Sequence, residues 1–233
     1  MTTSYIFPPA PQALVAVRGR GERYAVSRIF CVGRNYAAHA REMGSDPDRE
    51  PPFFFCKPAS ALFPSGGTVA YPPGTRNFHY EMELVIALGA PVFKAGAEEA
   101  KAALWGYAAG LDMTRRDLQN EAKATGRPWD FGKAFEQSAV ISELVPAAGI
   151  GHPMAGAIML SVNGEERQRG DLSDMIWNSA EIVANLSQYY HLGPGDLIYT
   201  GTPEGVGPVK PGDQLQGLIE GVAALTLTIG EPE

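Results

Sequence analysis

The chain has 233 residues, 45% of them apolar, enough for one large domain with a sizeable core. A net charge of -7 argues against nucleic acid and anionic membrane surfaces as main partners, so an anionic substrate must be captured by a local positive site. The only cysteines, Cys31 and Cys56, lie inside apolar runs, which points to buried free thiols in a reducing cytoplasm and away from a disulfide framework.

The first residues, Met1 to Pro9, lack a basic stretch followed by an apolar core, so no secretory signal is expected, and no apolar run reaches membrane-spanning length. Residues 1–23 are Pro-rich and weakly patterned and read as an N-terminal arm or edge segment, with residues 24–230 as a single domain. Arg23 to Val32 reads as a strand. Asn35 is a candidate N-cap and Gly44 a candidate stop for a short helix from Tyr36 to Met43. On that helix His39 and Glu42 are three apart and share a face. With the charged, turn-rich stretch Ser45 to Pro52 it forms a candidate lid; a plain surface pair is the alternative.

Phe53 to Lys57 reads as a buried strand ending at Pro58, with Lys57 either reaching for solvent or serving a site. Val69 to Thr75 reads as a turn. The stretch from His79 to Leu88 then runs from two acids, Glu81 and Glu83, into an apolar, β-branched strand. Residues two apart on a strand share a face, so both carboxylates sit together and repel unless a cation lies between them. Either a hard divalent cation on oxygen ligands resolves this, or both acids face water at a strand end.

Ala97 to Leu104 reads as a short helix and Trp105 to Leu111 as a second apolar strand that delivers Asp112. Thr114 is the better cap for the helix that follows, which frees Asp112 for a cleft. Lys133 falls in an irregular run. Ala157 to Arg169 alternates and turns at Asn163-Gly164, a hairpin signal. Ser173 to His191 carries an apolar stripe and reads as the longest helix. A strand from Leu197 then enters the Gly-rich loop Thr200 to Gly207, which lacks the Gly-Lys-Ser/Thr ending of a phosphate-binding loop. Strands near residues 214–219 and 222–229 close the chain.

An ordered set of these residues resembles the fumarylacetoacetate hydrolase family over roughly residues 24–230. The set is Cys31-Val32-Gly33-Arg34-Asn35-Tyr36 with His39 and Glu42, then Glu81-x-Glu83, then Leu111 to Asp117, then Lys133, then Thr200-Gly201-Thr202-Pro203-x-Gly205-Val206-Gly207. Within the family the chain looks most like the short acylpyruvate hydrolases. The runs from Arg34 to Met43 and from Pro51 to Lys57 look like those of fumarylpyruvate hydrolases of gentisate breakdown.

The resemblance implies an α+β, β-rich fold: the family's C-terminal-domain mixed β-roll or sandwich, with short peripheral helices and a lid helix, usually dimeric. It further implies a Mg2+ or Mn2+ site on Glu81, Glu83 and Asp112, with Lys133 at the keto-acid end of the substrate and His39 with Glu42 as a lid dyad. Arg116, Gln119 and Thr202 fall where relatives line the substrate pocket. Arg34, and after it Lys57, is the expected receiver of a distal carboxylate.

Three carboxylates, one divalent metal and Lys133 together make a neutral site, able to accept a chelating 2-keto acid. The expected reaction is hydrolysis of a 2,4-diketo acid, with His39, made more basic by Glu42, activating water. The alternatives are an oxaloacetate decarboxylase or a dienoic-diacid isomerase on the same site, and, more remotely, a non-catalytic metal-binding module.

Overall fold

The computed structural model describes residues 4–37 and 50–232. His39 and Glu42 lie outside the described residues, as does most of the expected helix from Tyr36 to Met43.

Two mixed sheets pack face to face. The larger follows the strand order Phe53–Lys57, Arg28–Gly33, Asp196–Tyr199, Met82–Leu88, Leu104–Asp112, Ala139–Ile141, Leu62–Pro64. Arg28–Gly33 runs parallel to Asp196–Tyr199, and Ala139–Ile141 parallel to Leu62–Pro64, while the other neighbours are antiparallel. The smaller sheet follows the order Glu165–Asp171, Ala157–Val162, Gln214–Ile219, Ala223–Pro232, Thr68–Tyr71. A small third sheet joins Thr114–Arg115, Phe78–Tyr80 and Gly207–Pro208.

Strand alternation sorts the central strand into two environments. Met82, Leu84, Ile86 and Leu88 pack with Leu160, Leu215 and Leu225 of the smaller sheet in the main core. Val85 and Ala87 face a second core with Cys31, Tyr199, Val15 and Val17. Glu83 continues the Val85 and Ala87 face toward the open end of the strand, so the apolar alternation that builds the core also aims the acid. Leu14–Ala16 pairs with Arg23–Ala25, which brings Val15 and Val17 into that second core.

Several expected elements differ in extent. The stretch expected as one strand from Arg23 to Val32 is two, Arg23–Ala25 and Arg28–Gly33. The expected turn at 69–75 begins as a strand, Thr68–Tyr71, because it pairs in parallel with Ala223–Pro232. The longest helix among the described residues is Arg116–Thr125; the expected helix over 173–191 shrinks to Ser179–Leu186. Asn178 starts it late: its Oδ1 accepts from the amides of Ala180 and Glu181, and Glu181 Oε2 accepts from the Asn178 amide at 3.0 Å. The Ile176 and Trp177 amides are meanwhile drawn to Asn35, each at 2.8 Å. Asn35 is therefore a cross-brace, its Nδ2 donating to Trp177 O at 2.9 Å and Thr200 O at 2.8 Å. The hairpin at Asn163-Gly164 forms as expected, with both residues at positive φ. Both cysteines are free, but only Cys31 is buried; Cys56 is exposed, since it is one residue out of phase with buried Lys57. Among the described residues no helix is long and apolar enough to cross a membrane.

Candidate active site

The site forms where the central strands of the larger sheet end. Register pairs Glu83 with Gly110 and Met82 with Leu111, and the Asp112 amide donates to Glu81 O at 2.9 Å. This places Glu81, Glu83 and Asp112 around one point, each offering a carboxylate oxygen within 4.8 Å of the others. All three are buried. Gly201 closes the fourth side: at φ +95 its amide donates to Glu83 Oε2 at 2.8 Å. A Cβ there would meet Asn35 Cβ at 2.8 Å, so the turn requires glycine.

Burial first, then the nearby charges of Asp112 and Glu81, push the Glu83 carboxyl well above the usual range. Three cations offset this concentration of acid. Lys133, 2% exposed, sends Nζ to Glu81 Oε2 at 2.9 Å, Asp112 Oδ2 at 2.7 Å and Thr114 Oγ1 at 2.7 Å. Burial works against its charge, but Asp112 and Glu81 outweigh it and hold the ammonium above its ordinary value. Arg116 pairs with Glu81 Oε1 and donates to Gln119 Oε1 at 2.5 Å.

The third cation is Lys57. Its Nζ lies 2.8 Å from Asp112 Oδ1 and 3.1 Å from Met113 O, and it also donates to Lys133 O. Lys57 is thus structural to the acid cluster and does not face the far end of the cleft, which corrects the expectation that it could receive a distal carboxylate. Thr114 also differs from expectation. The helix begins at Arg116 with Arg115 at its cap position and no side-chain cap, whereas Thr114 is buried in a short strand beside Phe78–Tyr80. Its hydroxyl accepts from Lys133 and donates to Asp112 O at 3.1 Å.

A cleft opens over the acids. Arg34, Arg116, Gln119, Lys133, Thr202, Glu81 and Glu83, all singled out in the sequence, line it; Asp112 lies beneath. Thr202 Oγ1 accepts from Gln168 Nε2 at 2.9 Å, which leaves the Thr202 hydroxyl proton for a ligand. Gln168 Oε1 in turn accepts from the Met82 amide at 3.0 Å, tying the loop to the start of the central strand. The lining also includes Lys123, Phe53, Phe55 and Trp129, which sequence reasoning did not single out. The helical spacing of Lys123 from Arg116 and Gln119, seven and four residues, was the available signal for the first of these.

The donor set fits a hard divalent cation. It offers oxygen ligands only, and Asp112 Oδ1 is a buried acceptor with no hydrogen bond of acceptable geometry despite the nearby Lys57.

The profile of the family described as fumarylacetoacetate (FAA) hydrolase C-terminal matches residues 28–230. The chain is 54% identical over 193 residues to a fumarylpyruvate hydrolase of Ralstonia sp, covering 82% of this chain and 100% of that one. It is 41% identical over 204 residues to the oxaloacetate tautomerase YcgM of Escherichia coli, covering 87% and 93%. A crystal structure of fumarylpyruvate hydrolase from Pseudomonas aeruginosa, in complex with Mn2+ and pyruvate, superposes with a TM-score of 0.96 at 50% identity, covering 98% of this chain and 100% of that one. The strand ends that gather the acids and the profile that spans them agree, and the chain belongs to the fumarylacetoacetate hydrolase family.

Proposed function

We propose that this protein hydrolyses the C3–C4 bond of an acylpyruvate, with fumarylpyruvate as substrate and fumarate and pyruvate as products. The observation that carries the reading is the buried Glu81, Glu83 and Asp112 cluster with Lys133 Nζ within 2.9 Å of two of its members. The names of the Ralstonia and Pseudomonas relatives support the same substrate.

Glu81, Glu83 and Asp112 would hold Mg2+ or Mn2+. Such an ion would supply Lewis-acid polarisation at the carboxylate and keto oxygens of a 2-keto acid. The charge count favours an anionic guest. The three carboxylates are already matched by Lys57, Lys133 and Arg116, so a divalent ion makes the loaded site positive by about two charges where the sequence alone suggested neutrality.

In the reaction a water O–H adds to C4, the C3–C4 bond breaks, and its electron pair passes to the pyruvate enolate before C3 is protonated. Lys133 is placed to hold the developing enolate charge, and Gln119 Nε2 and the Thr202 hydroxyl are placed to orient the substrate oxygens. The water needs a base. His79 is hydrogen-bonded to Asn77, His152 to Tyr107, and His191 stacks on Phe93, so none of these lines the cleft. His39, supported by Glu42, is the base that the family resemblance implies.

Tautomerisation of oxaloacetate is the second reading, favoured by the Escherichia coli relative; it needs the enolate site but no attacking water. The rest of the reading is one catalytic unit over residues 24–230 behind an arm of residues 1–23, a homodimer by family resemblance, and a cytoplasmic role in aromatic catabolism. Two free cysteines support the reducing compartment. The test is loss of the diketo-acid ultraviolet band of fumarylpyruvate with Mg2+ or Mn2+. Release of pyruvate and fumarate in equal amounts is expected; enol–keto interconversion without cleavage would replace hydrolysis by tautomerisation.

A further inference from the structure

Charge is balanced at the inner end of the cleft and unbalanced at its mouth. Inside, each carboxylate of Glu81 and Asp112 has a cationic partner. The helix Arg116–Thr125 then presents Arg116, Gln119 and Lys123 to the cleft at spacings of three and four residues, one continuous face. Seven residues of helix rise about 10 Å, so this face runs from the Glu81 carboxylate outward to Lys123.

Arg34 lines the same cleft as Lys123. Arg34 holds a left-handed backbone at φ +60, a conformation that is strained for a non-glycine residue and recurs at ligand sites. Its guanidinium lies 5.5 Å from the Phe53 ring centroid. Among the described residues no carboxylate pairs with Arg34 or Lys123. Burial, then the charges of Arg34 and Arg116, lower the Lys123 ammonium from its ordinary value. Like charges brought together on one wall of a cleft favour an anionic guest there.

Between the two ends, Phe53 and Phe55 pack on Trp129 with ring centroids 5.3 and 5.7 Å apart and give the cleft an aromatic wall. Such a wall suits a flat, conjugated chain.

We propose that Lys123 is a specificity-determining residue: with Arg34 it binds a second carboxylate, at the far end of an unsaturated keto diacid whose keto-acid end lies at Glu81, Glu83, Asp112 and Lys133. The proposal rests on the fumarylpyruvate reading and deepens it by naming the residue that selects the distal carboxylate. A monoacid offers these two cations no distal carboxylate, and that is the source of discrimination.

The experiment compares kcat and KM for fumarylpyruvate and acetylpyruvate, at saturating Mg2+, in wild type, Lys123→Met and Lys123→Arg. Fumarate titration with thermal stability as readout is run on the same proteins. Lys123→Met is expected to lower kcat/KM for fumarylpyruvate by about 10- to 100-fold, the worth of one charged hydrogen bond, mainly through KM. Acetylpyruvate should change by no more than about twofold, Lys123→Arg should recover most of the loss, and stabilisation by fumarate should fall in Lys123→Met.

An equal loss on both substrates, or an unchanged fumarylpyruvate KM, overturns the assignment. If the wild type cleaves neither substrate, the hydrolase reading fails, and fumarate titration still decides the subsite. Weaker stabilisation in Lys123→Met then upholds it, and identical stabilisation of the two proteins removes it.

Discussion

Lys57 Nζ stands 2.8 Å from Asp112 Oδ1 with both side chains wholly buried. Neither group can be hydrated where it sits, so each depends on the other and on the polar groups around the pair for compensation. Replacing Lys57 by Met leaves an uncompensated acid and is expected to cost about 3–5 kcal/mol in urea denaturation. Adding Asp112→Asn to Lys57→Met should cost less than the sum of the single changes, because the lone charge is then gone. Strict additivity of the two changes would show that the pair is not coupled.

Metal binding should be legible as stability. A divalent ion at about 100 times its Kd adds roughly 2.7 kcal/mol, visible as a rise in Tm with Mn2+ or Mg2+. Glu83→Gln keeps the side-chain volume and the bond from the Gly201 amide but removes a charged ligand, and it should abolish most of that rise. An undiminished Mn2+-dependent shift in Glu83→Gln would remove Glu83 from the ligand set.

His39 and the enolate site should separate by reaction. His39→Ala is expected to slow acylpyruvate hydrolysis by about 10² or more while leaving the metal-dependent Tm rise intact. Glu42→Gln should behave as a milder version, keeping a hydrogen bond but losing the charge. Oxaloacetate tautomerisation, which needs no attacking water, should survive better in His39→Ala than in Lys133→Ala. Near-wild-type hydrolysis by His39→Ala would return water activation to another group.

Asp117 gives a pH signature away from the chemistry. Its carboxylate accepts from Thr75 Oγ1 at 2.5 Å, the Arg76 amide at 2.9 Å and the Leu118 amide at 3.0 Å, stitching the 75–77 loop to the helix that carries Arg116. Partial burial pushes its pKa up, but these bonds outweigh it and hold the carboxyl below the ordinary 3.8. A depressed carboxyl stabilises fully above its unfolded value and loses that contribution as pH falls through the folded one. Asp117→Ala should therefore cost about 1–2 kcal/mol at neutral pH, and the gap to wild type should shrink in urea titrations below about pH 4. A gap that holds constant into acid would show that the carboxylate's charge is not what the loop relies on.

Five strands of the larger sheet were readable because their signal is local: β-branched and apolar runs alternate or run unbroken, and two acids two residues apart must share a face; the three-residue strands Leu62–Pro64 and Ala139–Ile141 were too short to read. Glu81, Glu83 and Asp112 were likewise found from residue type and order, while Lys133 and the roles of all four came from the family resemblance. Helix limits were not readable, because the competition is long-range. The stripe from Ser173 onward is periodic, yet Asn35, far away in sequence, takes the Ile176 and Trp177 amides, and the helix waits for Asn178.

The same limit applied inside the site. Thr114 read locally as a helix cap, and Lys57 as either a solvent-reaching or a site cation. Only pairing of the strands showed both turned onto the acid cluster. Sequence alone determined which charges the protein carries and which residues could bind a metal and a keto acid. The tertiary structure decided how those charges are partnered: Lys57 with Asp112, Arg116 with Glu81, and Lys123 on the same cleft as Arg34, neither with a carboxylate partner among the described residues. Partnership depends on strand register and helix phase across residues far apart in the chain, and those distances are set only when the sheets close on one core.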